Sequence, residues 1–294
     1  WSGGPYSTTV PGGYTSLPEI RRLLFDGQLV QAHRLFGRHL MGYPVEQQKY
    51  QSMGSLVLKF PAGGADAGYR HELDLDTAVV TTFYERDGTK YRREVFSSPV
   101  DQVVVVRLSA EPAGRLSFTA QLRGERNQAH SNYATDYFRM DADGPDSLVV
   151  RGKSADYLGV AGRLRYTARL RAVADGGHVS VDGDRLVVRE AASVTLFIAA
   201  ATSFVNYKDV GADPDARVET VLRAAGAKPY ADLKAAHIAE HRRLFRRVRL
   251  DLGAAPDSTL PTDERLRKFD GANDPALAAL LFQFGRYVLI SASR

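Results

Sequence analysis

Between residues 55 and 201 apolar and polar positions alternate with a period of two, and beyond residue 213 the period lengthens to that of a helix. Leu56, Leu58 and Phe60 alternate with Ser55, Val57 and Lys59. The runs 69–86 and 89–97 flank Asp87-Gly88, a pair that favours a two-residue hairpin turn because both residues tolerate positive φ. Val103-Val104-Val105-Val106 has no polar face, so 101–109 is predicted as a strand buried on both sides. Further strands are predicted at 115–122, 147–153, 163–173, 178–182, 185–189 and 194–201, with Asp182-Gly183-Asp184 as a turn. So many strands joined by short turns, with no helices between them, predict a large antiparallel β-sandwich rather than a parallel sheet.

Helices are predicted at both ends. Ser16-Leu17-Pro18-Glu19 has the spacing of a capping box, with Ser16 at N-cap and Glu19 at N3. Two short helices follow, at about 18–26 and 28–40, broken near Gly27. Asp213-Pro214 opens a helix that ends at Gly226, and Pro229 opens another running to about Arg247. In that second helix Leu233, His237, His241, Leu244 and Val248 recur at helical spacing. Residues 253–274 have the composition of a linker. Asp274-Pro275 starts a last helix with the apolar stripe Leu277, Leu280, Leu281, Phe284, Val288 and Leu289. An apolar stripe cannot bury itself, so its packing partners are expected beyond residue 294. The opening at Trp1, without an initiator methionine, suggests that something upstream was removed.

Composition narrows the classes. Zero cysteines exclude disulfides, cysteine nucleophiles and thiolate metal sites. The net charge of +5 arises from 39 basic and 34 acidic residues spread along the chain. The one dense basic run, Arg242-Arg243-Leu244-Phe245-Arg246-Arg247, is flanked by Glu240 and Asp251, and reads as a solvated or domain-facing helix surface. No nucleic-acid partner is expected. No stretch reaches the ~20 consecutive apolar residues of a membrane span, so no membrane partner is expected either.

Few residues nominate chemistry. His237-Ile238-Ala239-Glu240-His241 matches the H-x-x-E-H pattern, in which two histidines share a helix face and a glutamate activates a bound water. A catalytic zinc also needs a third protein ligand, and nothing nearby supplies one, so no metal and no cofactor are expected. In Glu72-Leu73-Asp74-Leu75-Asp76, strand alternation places the three carboxylates on one face, read as a solvated face or turn. Aromatic rings can stack on the C–H faces of sugars, and Trp1, Tyr6, Tyr43, Tyr50, Tyr133 and Tyr137 occupy loop-like, polar surroundings. Trp1 and Tyr50 are the candidate substrate contacts.

Several phrases together identify a resemblance. Trp1-Ser2-Gly3-Gly4-Pro5, Leu17-Pro18-Glu19-Ile20-Arg21-Arg22-Leu23, and Tyr50-Gln51-Ser52-Met53-Gly54-Ser55-Leu56 come in that order. Tyr69-Arg70-His71-Glu72-Leu73-Asp74-Leu75-Asp76-Thr77-Ala78, Arg93-Glu94-Val95-Phe96-Ser97-Ser98 and the run from Gln283 to Arg294 follow. Collinear and spread over nearly the whole chain, they resemble the inverting α-L-fucosidases of glycoside hydrolase family 95. The third phrase departs from that family's Y-Q-P-L-G-D-L at Ser52 and Ser55.

The resemblance implies a fold: a supersandwich, then linker helices, then the start of an (α/α)6 barrel that is truncated here. The expected division is 1–210 for the sandwich with an early helical insertion, 211–271 for the helical linker and 272–294 for the first barrel helix. It also implies release of terminal α-L-fucose from an oligosaccharide bound by the missing catalytic domain, with this chain packing on the barrel. The family's catalytic groups fall beyond Arg294, so no catalytic residue is expected in this chain. Arg286 and Arg294 are expected as polar groups near the sandwich–barrel interface. Secretion or a periplasmic location is expected over the cytoplasm. The alternatives are a free-standing carbohydrate-binding module and a relative acting on α-L-galactosides.

Overall fold

The computed structural model describes residues 4, 6–43, 53–124, 138–156, 158–254, 259–271 and 273–293. Among them, twelve strands form two antiparallel sheets. The strands are β1 Ser55–Lys59, β2 Ala67–Asp74, β3 Val79–Arg86, β4 Thr89–Ser98, β5 Val103–Glu111, β6 Leu116–Arg123, β7 Phe138–Ala142, β8 Ser147–Lys153, β9 Arg165–Asp175, β10 His178–Asp182, β11 Arg185–Ala191 and β12 Ser193–Thr202. The helices are α1 Leu17–Phe25, α2 Leu29–His39, α3 Pro214–Gly226, α4 Tyr230–Phe245, α5 Thr262–Lys268 and α6 Pro275–Ala292.

A four-stranded sheet in the order β1-β6-β11-β10 lies against an eight-stranded sheet in the order β2-β3-β4-β5-β12-β9-β8-β7. Alternation decides which side chains meet. Leu116, Phe118, Ala120 and Leu186 from the small sheet pack with Val106, Leu108, Leu170 and Leu196 from the large one. The opposite face of the large sheet carries Val79, Phe96, Val103, Val105 and Phe197, which pack beneath Val218, Leu222 and Leu233 of α3 and α4. The valine run in β5 is thus buried on both sides, Val105 under the helices and Val106 in the sandwich. The large sheet is the middle layer of the molecule.

The turns follow local chemistry. Asp87 at φ 50 and Gly88 at φ 71 join β3 to β4 with Arg86 opposite Thr89, as the dipeptide predicts. The side chain of Asp213 accepts hydrogen bonds from the backbone N–H groups of Asp215 and Ala216, and Pro214 supplies the fixed φ of the first helical turn.

Four expectations are corrected. Ser16 makes no capping hydrogen bond: it ends a 3-10 turn at Gly13–Ser16 and has helical φ and ψ, while Glu19 is held by Arg22 at 2.7 Å. The run 69–86 is two strands rather than one. The turn 75–78 interrupts it, so Asp76 lies outside the strand face shared by Glu72 and Asp74. The presumed linker 253–274 contains α5, whose buried Arg265 donates to both oxygens of Asp274 at 2.9 Å. The seam of α4 is Leu233, His237, His241 and Phe245, one residue every four; Val248 lies beyond the helix and is exposed.

Candidate functional site

A dense arrangement of polar groups lies where α4 crosses the outer face of the large sheet. Helical spacing turns His237 and His241 inward, 3% and 4% exposed. His237 Nε2–H donates to the carbonyl of Ala78 at 3.2 Å, and His241 Nε2–H to that of Leu75 at 2.9 Å. The rings form a column, with His237 stacked on Phe96 at 4.8 Å and His241 stacked on Phe245 at 5.1 Å. Burial pushes the His237 imidazole below its usual pKa. Its Nδ1 is buried without a hydrogen-bond partner. Glu240, the middle member of the H-x-x-E-H pattern, turns away and pairs with Arg243 at 2.8 Å. The two histidines therefore bind the turn 75–78 to α4 rather than converging with the glutamate on a common point. Among the described residues no group of three or more metal-ligating side chains comes together.

The same turn carries Asp76. Arg246 donates to both its oxygens at 2.6 and 2.7 Å, and Arg242 adds a bond at 2.8 Å. These guanidinium bonds hold the Asp76 carboxyl down at a pKa of about 2. Two members of the basic run, Arg242 and Arg246, thus face the turn 75–78, while Arg243 and Arg247 bond within α4 at its surface. Nearby, buried Glu94 accepts from Lys234 and Arg92, each at 2.6 Å, and from the Tyr230 hydroxyl at 2.8 Å. Burial alone would raise the Glu94 pKa, but these donors outweigh it and leave it lowered.

α6 docks on the far end of this platform. Asp274 caps it by accepting from the Leu277 N–H at 2.8 Å. Arg286 Nη1 donates to the carbonyls of Phe245 and Val248, both at 2.7 Å, at the end of α4 where carbonyls lack helical partners. Tyr287 meets His241 edge-on at 6.2 Å. Of the apolar stripe only Leu277 is buried; Leu281 is 69% exposed and Leu289 67%. α6 is also the one helix among the described residues long and apolar enough to cross a bilayer. Arg286 lies on the face turned away from the exposed stripe and binds the carbonyls at the end of α4.

Two recesses adjoin these elements. One, of about 400 Å³, lies between α3 and the β7–β8 turn. Its charges are already matched, Arg169 with Glu219 at 2.6 Å and Arg171 with Asp146 at 3.1 Å, so it fastens α3 to the sheet. The other, of about 310 Å³, lies between α6 and the sandwich rim where β4 ends and β5 begins.

Trp1 and Tyr50, the predicted sugar contacts, lie outside the described residues, as do Tyr133, Tyr137 and Arg294. Tyr43 is 61% exposed and far from any carboxylate pair in sequence; Tyr6 is half-buried. Sequence reasoning missed the partners of Asp76, Glu94 and Arg286. Arg92 lies beside Glu94 in sequence, but Lys234 for Glu94, Arg246 for Asp76 and the Leu244 carbonyl for Arg286 lie more than 35 residues away, where periodicity carries no signal.

A two-layer β domain whose outer face seats helices, the last of them half-docked and apolar, defines a β-sandwich module passing into a helical domain. Its sequence gives the family. Residues 1–207 match the N-terminal domain of glycosyl hydrolase family 65, and the chain belongs to that family. Residues 229–294, from the start of α4 onward, match the catalytic domain of glycosyl hydrolase family 95. The whole chain aligns at 33% identity with "Alpha-L-fucosidase 2" of Arabidopsis thaliana, covering 37% of that protein. It aligns at 29% with "Probable alpha-fucosidase A" of Aspergillus niger, again over 37% of its length, and at 27% with the Aspergillus oryzae protein of the same name, over 41%. The chain therefore spans about two fifths of the length of these relatives and corresponds to their N-terminal part.

Proposed function

We propose that this chain is the non-catalytic N-terminal part of an α-L-fucosidase that releases terminal α-L-fucose from oligosaccharides with inversion. In this reading residues 1–210 are the sandwich, 211–271 the helical connection and 272–294 the first helix of an (α/α)6 barrel. The observation that carries it is α6. One edge is fastened to α4 by Arg286 and Tyr287, while Leu281, Phe284, Val288 and Leu289 remain 45–69% exposed. Burying each such side chain is worth ~1.5–3 kcal/mol, so this face calls for further helices. The names of the relatives supply the substrate. Within this reading the sandwich positions the first barrel helix, and the acid and water-activating groups lie in the barrel. The test is proton NMR of a 2′-fucosylated oligosaccharide during hydrolysis by the protein carrying its whole catalytic domain. β-L-Fucose as the first product supports the reading; α-L-fucose first, or release only from an α-L-galactoside, refutes it.

A further inference from the structure

We infer that the cleft between α6 and the sandwich rim is a subsite for a neutral pyranose ring, an inference that rests on the glycosidase reading above. Its volume of about 310 Å³ sits at the lower end of small-molecule sites and suits one or two sugar rings. Its chemistry is divided as a sugar's is. Met53, Val104 and Ile198 offer apolar surface for C–H faces, while the hydroxyls of Ser97 and Tyr287 and the Oε1 of Gln102, whose Nε2 donates to the Pro99 carbonyl at 2.7 Å, can bond hydroxyls. None of the residues lining it is Asp, Glu, Lys or Arg. Ala78 at φ 52 and Gln102 at φ 55 both line it, and two strained non-glycine residues at one cleft mark a shape maintained against backbone preference. His237 lines it too. Its Nε2–H donates to the Ala78 carbonyl, and its Nδ1 is buried without a hydrogen-bond partner. The cleft borders α6, within the stretch that matches a catalytic domain, so a sugar held there lies beside the helical domain.

Saturation-transfer NMR on the 294-residue chain tests this, with L-fucose and lactose as separate probes. At least one probe should receive saturation at millimolar concentration. Ser97→Trp, which fills the cleft, should abolish the signal, and Gln102→Ala should weaken it at least fivefold. Both variants should keep the wild-type melting temperature, and Lys90→Ala, at the opposite end of β4, should leave the signal unchanged. No transfer to either sugar, or equal transfer in Ser97→Trp, overturns the subsite and leaves the proposed hydrolysis standing, since that is read by product analysis. Lactose binding in a protein whose complete form fails to hydrolyse α-L-fucosides keeps the subsite and removes the fucosidase reading.

Discussion

The guanidinium of Arg286 lies 5.1 Å over the ring of Phe245 and donates to that residue's own carbonyl at 2.7 Å. Nη1 also reaches the Val248 carbonyl at 2.7 Å and Nη2 the Leu244 carbonyl at 3.3 Å. One side chain of α6 thus binds carbonyls at and just beyond the end of α4, including that of Leu244, which also accepts from the Arg247 N–H. α4 is joined to α6 by the planar fork of an arginine side chain.

Replacing Arg286 with alanine should therefore free α6 while sparing the sandwich. Hydrogen exchange should accelerate at least tenfold across residues 277–291, and the strands should keep their protection. Lysine should restore only part of the protection, because a point charge cannot engage three carbonyls in one plane. Unchanged exchange in Arg286→Ala would show that contacts such as Tyr287 hold the helix.

Leu233 is fully buried between α4 and the large sheet. Leu233→Ala should cost about 2–5 kcal/mol, the usual range for a buried leucine. A urea midpoint shifted by less than the equivalent of ~1 kcal/mol would mean that α4 is only loosely seated.

Asp76 joins the turn 75–78 to α4 through Arg242 and Arg246. The carboxylate is about a third exposed, which discounts the pair for solvent screening, so Asp76→Asn should cost about 1 kcal/mol or less. The loss should shrink in high salt. A salt-independent loss would point to turn geometry instead of charge.

Acid should act in two stages. His237 has a folded pKa below its ordinary 6.5, so the unfolded chain takes up a proton that the folded state resists. That contribution is complete above 6.5 and is lost as pH falls below it. Asp76, lowered from 3.8 to about 2, contributes above 3.8 and loses its contribution as pH falls towards 2. The melting temperature should decline gently below about pH 6.5 and again below about pH 4. His237→Phe, which keeps the stack on Phe96, should flatten the first decline and leave the second. A first decline unaltered in that variant would assign it to another group.

How much was legible in sequence depended on range. The alternation around Leu56 and Phe118, the Asp87-Gly88 turn and the Asp213-Pro214 helix start are local signals, and the structure follows them. The turn at 75–78 was hidden because Glu72, Asp74 and Asp76 continue the alternation through it. What identifies Asp76 as a turn residue is Arg246, 170 residues later. β7 at Phe138–Ala142 was missed although Phe138, Met140 and Ala142 alternate with Arg139 and Asp141, because five residues are too few for a period-two pattern to stand out. The histidines were legible as a pair on one helix face, but only the fold shows that backbone carbonyls take their Nε2 protons. Of the sugar site the sequence offered aromatic residues in loops; the cleft beside α6 uses Ser97, legible only as part of the phrase 93–98, and Gln102.

The most direct test of the account compares turnover of an aryl α-L-fucoside by two purified proteins, the 294-residue chain and the same chain continued through its whole catalytic domain. Inverting hydrolysis needs an acid and a water-activating group about 6.5–9.5 Å apart across one bond, and the account places both outside this chain. It predicts that the chain alone stays at the buffer rate while the longer protein releases fucose. Turnover by the chain alone, abolished by changing one of its own carboxylates, would contradict it.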